Sequence, residues 1–412
     1  MLNADIQATR EQIKAQDAVQ LLYTLVRLTP PEEFAISRLP LNICLVIDRS
    51  TSMKGERLDQ VKRAASLVVD KLATDDVLSV VAYSDRAEVI LPASRITNKA
   101  LVVARLRGII ASGGTEIYQG LNAGVEEMRK ASLTAHLNHL ILLTDGHTYG
   151  DDEACISLVQ SIATQNIGIS AFGIGSEWND HFLDNLVAPS GGQSGYIESP
   201  SGIVEYLQQR IHNLGAVYAN NVRLDTGKFP PGVQLNYGLK IKPFAQPLSN
   251  ERGKLHLGTV EGRMPLAFVL EFSTKPQEPD TILTIPFHLT ADFPSESHTN
   301  RTFEFKLEIP VVRQVAVQTP LRVLVEAIRV MNLYRLNEKA MQDADNGHVE
   351  LAVTRMQYLT TRLIAAGFTQ LASQAKMETQ RLEALGDLSG EGRKKLKFGT
   401  RALLTTANMF EL

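Results

Sequence analysis

The chain has 412 residues, with 42 Lys and Arg against 45 Asp and Glu, a formal net charge of −3 and 44% hydrophobic residues. That length fits two or three domains and can bury a core without disulfide staples, which excludes the small cross-linked folds. The near-neutral balance excludes nucleic-acid binding driven by bulk positive charge, and the longest apolar runs are far shorter than the ~20 residues that cross a bilayer.

In chain order, MLNADIQATREQIKA at the start carries scattered charges and no apolar core. The expectation is no secretory signal and a cytoplasmic location. VQLLYTLVRLTP at 19–30 has the period-2 texture of a strand. From 41 to 213, short β-branched runs alternate with helical segments, the pattern of a mostly parallel sheet covered on both faces. ICLVID at 43–48, NHLILLTD at 138–145 and IGISAFGIG at 167–175 read as buried strands, while 76–84 and 87–92 are close enough for a hairpin. Helices are predicted over 55–73, 98–109, 117–131, 152–166, 179–187 and 201–213. Cys44 and Cys155 lack ligand spacing and are expected to be reduced core thiols.

After 215 the period-2 runs are broken by Pro and Gly, which predicts an antiparallel β-sandwich. The run at 19–30 is expected to pair with those strands, so the domains are predicted as 1–40 plus 214–316, 41–213 inserted between them, and 317–412. In the last of these, helical periodicity over 319–343, 348–365, 368–385 and 391–406 predicts a small antiparallel bundle. The basic run GRKKLKFGTRALL at 392–404 is expected to be the solvated face of its helix.

The chemistry concentrates in three loops. Asp48, Ser50 and Ser52 follow the first buried strand, Thr115 follows Gly113 and Gly114, and Asp145 ends the second apolar strand before Gly146. In doubly wound sheets, ligands sit outside the carboxyl ends of the strands, where such loops converge. Two carboxylates and three neutral hydroxyls are the all-oxygen donors a hard divalent cation takes, and so few acidic groups leave the ion able to accept one carboxylate from outside. Capping of helices and turns by the same short polar residues is the plain structural alternative. His147 beside Asp151 and Asp152 raises a metallohydrolase reading, but it lacks a partner at ligand spacing and is expected on a solvated loop. His136 and His139 are expected at the edge of a strand. No phosphate-binding loop, dinucleotide fingerprint or nucleophile elbow is present.

At these residues the sequence resembles the von Willebrand factor A domain family, whose metal-ion-dependent adhesion site has the pattern D-x-S-x-S, then a Thr, then an Asp, on three loops. The resemblance covers about 41–213 and implies a doubly wound α/β fold, a site formed by Asp48, Ser50, Ser52, Thr115 and Asp145, and a bound Mg²⁺, Mn²⁺ or Ca²⁺. It further implies a non-enzymatic protein-interaction module whose ion accepts an Asp or Glu of a partner protein. A metal-assisted hydrolase and a metal-free scaffold are the alternatives. The departure is Thr51, where many members have Gly, and a β-branched residue disfavours positive φ. Around LPLNICLVIDRSTSMKGERL the chain also resembles bacterial members with a flanking β-sandwich and a helical tail, which implies AAA+ ATPases or kinase and phosphatase modules as partners.

Overall fold

A computed structural model of the chain describes residues 2–32, 38–163, 165–199, 202–214, 216–262, 264–296 and 298–406. Its elements begin with β1 (Asn3–Ala8), β2 (Ile13–Lys14) and β3 (Gln20–Thr29). There follow β4 (Leu41–Asp48), α1 (Glu56–Lys71), β5 (Val77–Tyr83), β6 (Ala87–Arg95), α2 (Lys99–Arg107), α3 (Ile117–Met128) and β7 (Leu137–Thr144). The same unit continues with α4 (Asp152–Ile162), β8 (Ile167–Ile174), α5 (Asp180–Val187), β9 (Gln193–Ile197) and α6 (Gly202–Leu214). Next come β10 (Val217–Asp225), β11 (Val233–Lys242), β12 (Gln246–Pro247), β13 (Asn250–Glu251), β14 (Lys254–Glu261), β15 (Leu266–Thr274), β16 (Thr281–Phe293) and β17 (His298–Val312). The helices α7 (Arg322–Asp345), α8 (Val349–Ala365), α9 (Thr369–Leu385) and α10 (Gly390–Thr406) come last.

The central sheet runs β6-β5-β4-β7-β8-β9, parallel except for the hairpin strand β6. Every residue of β4 and β7 is buried, because helices cover both faces. Alternation sorts the side chains. Leu41, Ile43, Leu45 and Ile47 enter a core with α1, α2 and α6, whereas Cys44 and Val46 face α3, α4 and α5. Helix α3 lies almost flush on this sheet. A Cβ at Gly120 would stand 2.5 Å from the Tyr83 ring, and one at Gly124 would stand 2.7 Å from Val46. Cys44 and Cys155 are both buried and free.

Two further sheets, β1-β3-β15-β11-β12 and β13-β14-β10-β16-β17-β2, share one apolar core that joins Val26 and Phe268 of the first to Leu224 and Phe287 of the second. Strand β3 lies between β1 and β15, in register from Leu266 opposite Leu28 to Thr274 opposite Gln20. In the chain, the central α/β unit therefore lies between β10 of the second sheet and β3 of the first. Helix α7 covers the outer face of that sheet through Ala327, Met331 and Tyr334, and its distal half packs with α8 and α9. No helix among the described residues is long and apolar enough to cross a membrane.

The structure departs from two expectations. The basic run of α10 does not form a solvated face: Lys394, Lys397 and Arg401 are buried against α5. Lys397 Nζ lies 2.5 Å from Asp180 and 2.9 Å from Asp184, and Arg401 pairs with Asp184 and donates 2.9 Å to the Tyr334 hydroxyl. Desolvation opposes these charges, yet the facing cations hold both aspartates well below the usual carboxylate range. His139 is not at a strand edge either. β7 is an interior strand, and the His139 ring is buried with Nε2 2.9 Å from Ser170 Oγ.

Candidate metal-ion site

Strand β4 pairs with β5 on one side and β7 on the other, so the chain winds outward through β5 and β6 on one side and through β7, β8 and β9 on the other, and the switch point at which such sheets take ligands lies beyond the carboxyl ends of β4 and β7. Asp48 is the last residue of β4, and Asp145 directly follows β7. Both carboxylates are fully buried. Asp48 Oδ1 accepts from the Ser50 backbone N–H at 2.8 Å, and Oδ2 accepts from the Thr144 hydroxyl at 2.8 Å. Burial pushes the Asp48 carboxyl up to about 6, and the neighbouring Asp145 charge pushes the same way against the Ser50 and Thr144 hydrogen bonds.

The hydroxyls extend the chain of contacts. Ser50 Oγ lies 3.0 Å from Ser52 Oγ, and Ser52 Oγ donates to Asp145 Oδ1 at 2.7 Å. Thr115, also buried, is brought over by its glycines. Its Oγ1 lies beside Gly146, where a Cβ would be 3.5 Å away. Gly114 N–H donates to Asp85 Oδ1 at 2.7 Å, and a Cβ at Gly113, whose φ is 81°, would fall 2.5 Å from Asp85 Oδ2. Only glycine permits that approach with that backbone. Behind Thr115, the first N–H groups of α3 are capped from another loop: Ile117 N–H donates to Thr148 Oγ1 and Tyr118 N–H to Asp151 Oδ2.

Thr51 is accommodated without the left-handed backbone that its β-branch would resist. It opens a short 3₁₀ turn, Thr51–Met53, and both its N–H, at 3.0 Å, and its hydroxyl, at 2.9 Å, donate to the Gly113 carbonyl. The structure thus gathers Asp48, Ser50, Ser52 and Asp145 into one hydrogen-bonded cluster with Thr115 at its side. His147 stays exposed on the loop beyond. Sequence reading missed Thr144, Asp85 and Arg57, the last of which donates from Nη1 to Asp145 Oδ2 at 2.6 Å. The first two are single polar residues next to strand ends, and nothing in their spacing marks them.

Among the described residues no group of three His, Cys, Asp or Glu side chains is placed to hold a metal ion. A cation here would depend on the hydroxyls. The donors suit one: the 3.0 Å between Ser50 Oγ and Ser52 Oγ matches the edge of an octahedron, about 2.9 Å for Mg–O bonds of about 2.0–2.1 Å.

Residues 42–209 match the von Willebrand factor type A domain model, and residues 322–406 match that of the Sll0103-like C-terminal alpha-helical domain. Over 379 residues the chain is 28% identical to "Uncharacterized protein sll0103" of Synechocystis, covering 89% of each. It is 26% identical to human inter-alpha-trypsin inhibitor heavy chain H4 over 70% of this chain and 33% of that protein. Two solved structures share the fold along nearly the whole chain. A von Willebrand factor type A protein from Catenulispora acidiphila superposes with a TM-score of 0.74 at 16% identity, over 97% of this chain and 96% of that one. The ArnB paralog VWA2 from Sulfolobus acidocaldarius gives 0.60 at 16% identity, over 98% of each. The domain between β3 and β10 is thus a von Willebrand factor type A domain, and the four helices at the end form a Sll0103-like C-terminal α-helical domain.

Proposed function

We propose that this chain is a non-enzymatic, divalent-metal-dependent protein-interaction module with a metal-ion-dependent adhesion site. Asp48, Ser50, Ser52, Thr115 and Asp145 would hold Mg²⁺, or Mn²⁺ or Ca²⁺ in its place. The observation that carries this reading is the convergence of two buried carboxylates and neutral hydroxyls at the ends of β4 and β7. Von Willebrand factor type A domains are typically protein-interaction modules, which supports the same conclusion. When bound, the ion supplies an electrophilic position that a carboxylate oxygen from a partner can fill.

The residues of the chain do the rest. Asp48 and Asp145 together balance a double positive charge, and the serine and threonine hydroxyls add donors without adding charge. Asp85 and Gly113 fix the Thr115 loop, and Thr144 holds Asp48 in place. The test is calorimetric titration of the EDTA-stripped protein with Mg²⁺ and Mn²⁺, beside Asp48→Asn. One ion per chain, lost in the variant, is expected, followed by partner capture that EDTA abolishes. Absence of binding in a folded parent would overturn the reading. Turnover lost in His147→Ala would instead favour a hydrolase.

A further inference from the structure

The donor set leaves one charged side chain at the site without a role. Arg57, in the first turn of α1, has a side chain about one-third exposed (35%), and its Nη1 lies 2.6 Å from Oδ2 of Asp145, which is wholly buried. Oδ1 of the same carboxylate is already taken by the Ser52 hydroxyl. Arg57 is also braced from behind. Its guanidinium packs on Gly175 just past β8, where a Cβ would lie 3.1 Å from Nη2, and Gly175 has a φ of 72°. The guanidinium therefore stands as a cation already in place on a carboxylate assigned to the metal.

We propose that Arg57 is a built-in competitor of the divalent ion for Asp145. It supplies the counter-charge when no ion is bound and lowers ion affinity, because the ion must displace it or share the carboxylate with a second cation. This rests on the metal reading above. Arginine cannot relieve the conflict by losing its proton, so relief comes only by movement, and a partly exposed side chain at a helix start can swing into water. Repulsion between two cations on one carboxylate is comparable in size to the attraction either has for it. Linkage makes the effect reciprocal: whatever factor Arg57 takes from ion affinity, the ion takes from the Arg57–Asp145 pair.

The test uses the full chain stripped with EDTA. Arg57→Gln is expected to bind Mn²⁺ on the order of tenfold more tightly than the parent, as removal of one partly buried charge allows. It should melt lower than the parent in EDTA, because Asp145 is then buried without a counter-charge, and the gap should close in saturating Mn²⁺. As a measurement that needs no neutral variant, the Arg57 side-chain Nε–H resonance of the parent, assigned by its loss in Arg57→Lys, should shift as Mg²⁺ is added. Equal or weaker Mn²⁺ binding by Arg57→Gln, or a resonance unmoved at saturation, would overturn the competition and leave the metal site standing. Binding by neither parent nor variant would remove both.

Discussion

Thr51 ties two loops together through a single carbonyl. Its N–H and hydroxyl both donate to Gly113 O, so the strand-end turn that carries Ser50 and Ser52 is linked to the turn that carries Thr115. Thr51→Gly would remove one of these bonds and add backbone freedom to the unfolded chain. The expected cost is about 1–2 kcal/mol in urea denaturation of the metal-free protein, with weaker Mn²⁺ binding; a stabilised variant would contradict the role. A second residue-scale consequence concerns acid. Burial, followed by the charges of Arg223 and Lys254, pushes His256 down to about 4, and burial with Arg210 nearby pushes His139 down as well. For a histidine whose folded-state pKa is depressed, the unfolded chain takes up the proton first, so stability falls as pH drops from about 6.5 toward 4. The urea midpoint should therefore fall between pH 7.5 and pH 5, and His256→Gln should fall less; an equal fall in both would show that His256 is not responsible.

Helix α3 shows how closely an element can be set onto a sheet. Because Gly120 and Gly124 lie under Tyr83 and Val46, the helix axis is drawn toward β4 and β5, and its amino end delivers Thr115 to the crevice. Gly124→Ala is expected to destabilise the fold by about 1–3 kcal/mol despite its better helix propensity, since the added methyl has nowhere to go. Chemical denaturation would read the sign directly. Much at this scale was legible beforehand. Interior strands such as β4 and β7 must be apolar on both faces, so LNICLVI and LNHLILL declare themselves, and the Asp ending each run stands out against it. The buried charge of α10 was not legible. Lys397 and Arg401 meet Asp180 and Asp184 from 217 positions away, a separation no local pattern encodes. Arg57 was hidden for a related reason: its helix start reads as ordinary, and only the fold aims it at Asp145.

Across the whole molecule, the domains are joined by buried polar groups as well as by apolar faces. Arg210 of α6 reaches Glu261 of β14 at 2.6 Å, Lys240 of β11 donates to the Gly191 carbonyl at 2.5 Å, and Arg401 of α10 donates to Ser194 of β9 at 3.0 Å. Removing one member of such a pair strands its partner, which costs about 3–5 kcal/mol in buried settings. Arg401→Ala should therefore loosen the helical domain from α5, seen as early protease cleavage around α10 while the central domain persists. Simultaneous loss of both domains would argue against separate docking.

The chain has one tryptophan, and its place gives the molecule an optical reporter. Trp178 lies over Gly173, donates to the Gly175 carbonyl at 2.7 Å, and is enclosed by Lys394, 4.5 Å from its ring, and by Phe398. Its indole therefore touches both the turn on which Arg57 rests and the helix that brings in the distal domain. Fluorescence excited selectively in the indole comes from this junction alone, so release of α10 registers as a red shift toward the emission of a hydrated ring. A change transmitted through Gly175 alters the same signal without a label being attached.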